Sequence, residues 1–202
     1  MRLNSKRIEI CGGTGTGKTT VAQRLADFLH ADLLLEDYSK NPFWAKYYKN
    51  PALYFAEKDV VFLAQHTGDI KSRTHEGILV CDYAVVQDLG YAALSKSESH
   101  FAVMTELYRH LYSPLTKPSL IVYVQCDPEV QLQRIKARGR VEEEVLNIDI
   151  LASLNTATER LMTTHHQNTP IYKFRSDKGL FNKFNAKIVQ SALDDPAGFR
   201  IS

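Results

Sequence analysis

Gly12-Gly13-Thr14-Gly15-Thr16-Gly17-Lys18-Thr19 reads G-x-x-x-x-G-K-T, and no other stretch so narrows what this chain can fold into. A polyphosphate is held by many backbone N–H groups pointing inward together, and side chains obstruct the curl that aims them. Gly12, Gly15 and Gly17 remove that obstruction, Lys18 is placed to reach the β- and γ-phosphates, and the Thr19 hydroxyl is placed to ligate Mg²⁺. The pattern has this meaning only between a strand and a helix, whose N-terminus then faces the anion. Residues 8–11 form a short apolar run before it, and residues 19–30 have helical spacing after it. Gly13, Thr14, Thr16 and Thr20 complete the expected cradle. The competing reading, a glycine-rich turn with an incidental lysine, accounts for neither flank.

The chain has 202 residues, 44% hydrophobic and 24% charged, the composition of an ordinary globular domain with a sizeable core. A net charge of +2 gives no bulk reason to expect a nucleic acid polymer or a membrane surface as partner. No apolar run approaches the roughly 20 residues of a membrane span. The basic start, residues 1–7, is too short to read as a leader. Cys11, Cys81 and Cys126 each end an apolar run and have no metal-binding spacing, which suggests buried reduced thiols in a cytoplasmic protein.

Further strand-like runs occupy 33–36, 77–82, 120–125 and 171–174. Helical spacing fills 51–71, 88–112, 128–138, 148–167 and 181–193. Apolar strands alternating with helices predict an α/β fold. With the phosphate loop, a five-stranded parallel sheet with helices on both faces is expected, an arrangement that resembles the three-layer fold of P-loop NTPases. A single domain over 1–202 is the economical reading, with a frayed tail over 194–202. Ligands of such sheets bind beyond the carboxyl ends of the strands. Glu36-Asp37 and Asp82 follow strands two and three, so both should meet the phosphate loop in one cleft. Asp127 precedes Pro128 and is expected to cap the next helix.

Phosphoryl transfer needs a cradle, Mg²⁺, cations around the migrating group and an orienter for the nucleophile. Asp82 can hold Mg²⁺, directly or through waters; the alternative is a helix cap. Glu36 is the candidate base for a substrate hydroxyl; the alternative is a solvated loop acid. Arg134 and Arg138 share a helix face, Gly139 ends that helix, and Arg140 follows. Three guanidiniums repel unless an anion lies among them. A triphosphate supplies one, so 134–146 reads as an arginine-bearing lid, against the plainer reading of a charged face balanced by Glu142, Glu143 and Glu144.

Taken together these residues resemble the deoxynucleoside kinases that act on deoxyadenosine, deoxyguanosine and deoxycytidine. The likeness runs from about Ile8 to Lys178, and its most specific piece is Asp127-Pro128-Glu129-Val130 through Arg138-Gly139-Arg140-Val141-Glu142-Glu143. Asn41-Pro42-Phe43-Trp44 with Tyr47-Tyr48 and Pro51 is similar to the bacterial members. The resemblance implies transfer of the γ-phosphoryl group of ATP to the 5′-hydroxyl of a small-molecule nucleoside. It implies Glu36 as base, Lys18, Arg134, Arg138 and Arg140 as catalytic cations, and Asp177 and Lys178 in the donor site. Glu143 is implied at the sugar 3′-hydroxyl, Tyr47 or Tyr48 on the sugar, Trp44 and Phe62 in the acceptor pocket, Asp88 on the base and Asp82 near Mg²⁺. A homodimer packed through helices is implied as well.

Three positions depart from the family pattern. Tyr83 stands where an Arg usually follows the strand-ending acid, Glu57 is the nearest counterpart of a base-reading Gln, and His66 stands where an Arg is often found. An ionised Glu only accepts hydrogen bonds, so Glu57 would favour an exocyclic amine or a protonated ring. Two alternatives share the phosphate loop: a thymidylate-like monophosphate kinase, and a nucleotide-binding regulatory protein without catalysis.

Overall fold

The computed structural model describes residues 5–73 and 77–196. Residues 1–4 and 197–202, where the leader and tail readings partly fall, lie outside the described residues. Five parallel strands form one sheet in the order β2-β3-β1-β4-β5: β1 Lys6–Cys11, β2 Asp32–Leu34, β3 Ile78–Cys81, β4 Leu120–Gln125 and β5 Ile171–Arg175. Side chains alternate between faces along a strand, and β1 shows it plainly. Ile8 and Ile10 enter a core with α1 (Lys18–Leu29) and α8 (Lys183–Asp194), while Cys11 enters the opposite core. That opposite layer contains α3 (Pro51–Ser72), α4 (Val86–Ala93), α5 (Glu98–Tyr112) and α7 (Ile148–His165). The shorter α2 (Trp44–Lys49) precedes α3, and α6 (Pro128–Arg138) follows β4. The three cysteines are buried and free.

The charges buried on β1 are paired. Arg7 Nε donates to Glu9 Oε1 at 3.0 Å, Tyr112 Oη donates to the same oxygen at 3.3 Å, and Glu9 Oε2 accepts from Val85 N at 3.2 Å. An unpaired carboxylate there would cost several kcal/mol. Paired, Glu9 ties the central strand to the start of α4, the helix that carries Asp88.

Where the expected 88–112 helix was continuous, the structure has two helices. The chain turns after α4 with Lys96 at φ 57°, and Ser97 caps α5 by accepting from His100 N at 3.2 Å. Serines compete locally for backbone donors, and Ser95, Ser97 and Ser99 crowd this turn. The residue limits of β4 and α6 are those expected from sequence. Asp127 accepts from Glu129 N at 2.9 Å at the start of α6, and Gly139 ends it at φ 67°.

α4 and α7 approach closely at Gly90, where an added Cβ would lie 2.5 Å from Thr158 Oγ1. Overpacking costs about 1–3 kcal/mol, more than the ~1 kcal/mol by which Ala outranks Gly in a helix. Gly90→Ala should therefore lower denaturant stability, and Gly90→Ala with Thr158→Ala should regain most of the loss, because the obstructing atom is the threonine oxygen.

Candidate active site

The phosphate loop joins β1 to α1 and is braced from behind. An added Cβ on Gly12, at φ 151°, would lie 2.6 Å from Val124 O, so the loop seats directly on β4. Gln131 Nε2 donates to Thr14 O at 2.9 Å, Ser176 Oγ donates to Thr16 O at 2.7 Å, and Gly12 N donates to Gln87 Oε1 at 3.2 Å. Lys18 Nζ lies on the loop's own carbonyls, 2.9 Å from Gly12 O and 3.3 Å from Gly13 O.

A cleft of about 430 Å³ opens in front of the loop. Thr14, Gly15, Gly17, Lys18, Thr19 and Thr20 line its donor side, with Gly12, Gly13 and Thr16 behind them. Glu36, two residues past β2, and Asp82, one past β3, line it too. Thr19 Oγ1 donates to Asp82 Oδ2 at 2.8 Å, while Asp82 Oδ1 is buried and makes no hydrogen bond. Burial pushes the Asp82 carboxyl up to about 6 against the pull of Lys18 and the Thr19 hydroxyl. A hard cation beside Thr19 would relieve that cost. Among the described residues no cluster of three or more acidic, His or Cys side chains forms a self-sufficient metal cage.

The arginines expected to form a lid are not free. Arg138 makes a two-pronged pair with Glu143, Nε to Oε2 at 2.7 Å and Nη2 to Oε1 at 2.6 Å, and Nη2 also reaches Thr14 Oγ1 at 2.7 Å. Arg140 lies 3.5 Å from Glu143 Oε1 and stacks on Tyr38 at 4.3 Å. Glu143, 4% exposed, is thus the anion among these guanidiniums. Arg134 lies lower, with its Nη2 on Ser176 O and Nη1 on Ser176 Oγ, both at 2.9 Å, so it braces the loop as well as lining the cleft. Asp177 is taken up by Arg175 at 2.6 Å and Lys178 is exposed; neither lines the cleft.

Trp44, Tyr48, Phe62 and Asp88, the residues the resemblance puts in an acceptor pocket, line the same cleft. Tyr47 turns away into a separate cavity, its ring 4.5 Å from Lys58 Nζ. Glu57 is a correction: it is exposed and lines that separate cavity, not the cleft. Nine residues are about two and a half turns of α-helix at 3.6 residues per turn, so Glu57 and His66 lie on opposite faces of α3. Lys58 and Asp59, which sequence reasoning missed, line the cleft, paired at 2.6 Å and 5% and 2% exposed. They lie four and three residues before Phe62, so helical phase counted from Phe62 would have found them. His100 holds Asp59 from behind at 3.1 Å. Tyr83 and His66 lie beneath the acceptor surface: Tyr83, 2% exposed, stacks on His66 at 4.2 Å, and His66 bridges Glu36 and Asp88.

The deoxynucleoside kinase family profile matches residues 8–193. The chain belongs to the deoxynucleoside kinase family. Similar curated proteins include the deoxyguanosine kinase of Bacillus subtilis, 25% identical over 152 residues, covering 73% of each chain. The deoxyadenosine kinase of Dictyostelium discoideum is 24% identical over 179 residues, covering 85% of this chain and 72% of the relative. In fold the chain is similar to a deoxyadenosine kinase from M. mycoides solved with bound dCTP, at TM-score 0.76 and 18% identity, covering 93% and 98% of the two chains. As a member of this family the chain is an ATP-dependent nucleoside phosphotransferase. The monophosphate-kinase and non-catalytic alternatives draw no support from these matches.

Burial works against protonation of His66, but Asp88 and Glu36 outweigh it and hold the imidazolium up to about 10, from an ordinary 6.5. Burial works against ionisation of Glu36, yet the close contact with His66, together with the charges of Lys18 and Arg140, holds it below the usual range. Because the folded pKa of His66 lies above its unfolded value, its stabilising contribution is complete below pH 6.5 and is lost as pH rises toward about 10. The stability advantage of wild type over His66→Gln should therefore shrink across that window in denaturant titrations.

Proposed function

We propose that Glu36, Lys18, the lid arginines and Asp82 move the γ-phosphoryl group of ATP to the 5′-hydroxyl of a deoxynucleoside held against Tyr48, Phe62 and Asp88. The observation that carries this is convergence: the loop's Lys18, the Glu36 carboxylate and the Arg138–Glu143 lid face one cleft of nucleoside-binding size.

Phosphoryl transfer passes through a loose transition state, so aligning the nucleophile counts for more than strong basicity. A Glu36 kept ionised at neutral pH suits that role, since it orients the hydroxyl and accepts its proton as the new bond forms. Arriving phosphates offer Lys18 stronger acceptors than two loop carbonyls, and offer Arg138 and Arg140 an anion to share with Glu143. Glu143 then has oxygens to spare for a sugar hydroxyl. Lys58 and Asp59 present a donor beside an acceptor, which suits the edge of a nucleobase whose faces rest on Phe62 and Trp44. Thr19 and Asp82 would hold Mg²⁺, which when bound neutralises charge on the phosphate oxygens.

A homodimer packed through helices, as the family resemblance implies, is part of this reading, and Val60 on α3 and Val103 on α5 are exposed apolar side chains that such a contact could cover. In this reading the kinase serves nucleoside salvage in the cytoplasm, and its three buried free thiols fit a reducing compartment.

Label from γ-labelled ATP should enter a monophosphate with a deoxynucleoside acceptor and not with its 5′-deoxy analogue. Glu36→Gln should lower kcat about 10²- to 10⁴-fold with ATP binding unchanged. Nucleotide binding without acceptor-dependent turnover across a nucleoside panel would reject the proposal.

A further inference from the structure

His66 is buried, 3% exposed, yet both its ring nitrogens face carboxylates from other elements. Nδ1 lies 2.9 and 3.1 Å from the two oxygens of Asp88 on α4. Nε2 lies 3.3 Å from Glu36 Oε1, in the loop after β2. A neutral imidazole has one N–H and can donate to one of them; only the doubly protonated ring serves both. The ring plane is fixed from both sides, by Phe62 at 5.5 Å and 28° and by Tyr83 at 4.2 Å and 22°. Tyr83 is itself anchored, its hydroxyl donating to His66 O at 3.2 Å.

The two contacts differ in kind. Asp88 is buried and meets Nδ1 in hydrogen-bond geometry. Glu36 opens on the cleft with its side chain 35% exposed, and Nε2 makes no aligned hydrogen bond to it. The Asp88 contact is therefore the fixed end and the Glu36 contact the adjustable one. Position 83 carries no cation, because a tyrosine there serves as the stacking wall. The positive charge beneath Glu36 comes instead from α3.

We infer that His66 is a positioning residue of the acceptor site: one ring spaces Glu36 from Asp88, so the group that receives the acceptor's proton and the group that meets its base are set relative to each other. This rests on the reading of Glu36 and Asp88 given above. The plainer role, a ring that only fastens α3 to α4, would change stability and leave kinetics alone.

Steady-state kinetics of the full chain with ATP and its best deoxynucleoside separates the two. His66→Gln should lower kcat about 10- to 100-fold, the cost of a misplacement near 1 Å. It should also raise the nucleoside KM and leave the ATP KM unchanged. His66→Arg, whose planar fork can span two carboxylates, should recover much of that kcat whatever its melting temperature. On the wild type, ¹⁵N shifts of the His66 ring should show both nitrogens protonated at neutral pH, a readout that needs no variant to fold. Wild-type kcat and nucleoside KM in His66→Gln, or a neutral single tautomer in the wild type, would overturn the positioning role. A wild type that phosphorylates no nucleoside would instead overturn the assignment of Glu36 beneath it.

Discussion

The phosphate loop is held from behind, and the rest of the cleft takes its position from that seat. Gly12 lies so close to β4 that a single carbon added to it would meet Val124 O at 2.6 Å. Gln131 and Arg134 from α6, Ser176 from the loop after β5, and Gln87 from α4 all bond to the loop's backbone. Each brace comes from an element that follows a strand's carboxyl end, and those ends bring Glu36 and Asp82 to the same place. In a parallel sheet all carboxyl ends share one edge, so seating the loop there commits the chemistry to that edge.

Charge removed from water imposes the second constraint. Lys58 with Asp59, His66 with Asp88, and Arg138 with Glu143 are each paired with at least one nearly buried partner. Removing one member of such a pair costs far more than the pair itself contributes, because the other is left as an unpaired buried charge. These pairs therefore specify where groups stand more than they stabilise the fold. Glu143 lies between the Arg138 and Arg140 guanidiniums, so their mutual repulsion is met by an acid of the chain itself.

Legibility in the sequence followed how local each signal was. The ends of β4 and α6 were readable to the residue, because Asp127-Pro128 and Gly139 are start and stop signals in themselves. The break between α4 and α5 was missed because apolar spacing on either side was joined across the polar run from Ser95 to His100, where the turn depends on Ser97 and a left-handed Lys96. Glu36, Asp82 and the phosphate loop were singled out by their place after apolar strands, and the structure brings them to one cleft. Glu57 was misassigned because type was weighed without helical phase. Lys58 and Asp59 were missed because two charges inside a helix read as a solvated face until a neighbour of known orientation, Phe62, fixes the rotation.

The central claim is that donor and acceptor occupy one cleft, phosphate loop on one side and Tyr48, Phe62 and Asp88 on the other. A bisubstrate, adenosine joined to a deoxynucleoside through a chain of phosphates, tests this most directly by calorimetric competition. It should bind once per chain, more tightly than either half, and be displaced both by a non-hydrolysable ATP analogue and by the free nucleoside. A bisubstrate that one of the two fails to displace, or that binds no better than its tighter half, would contradict the claim.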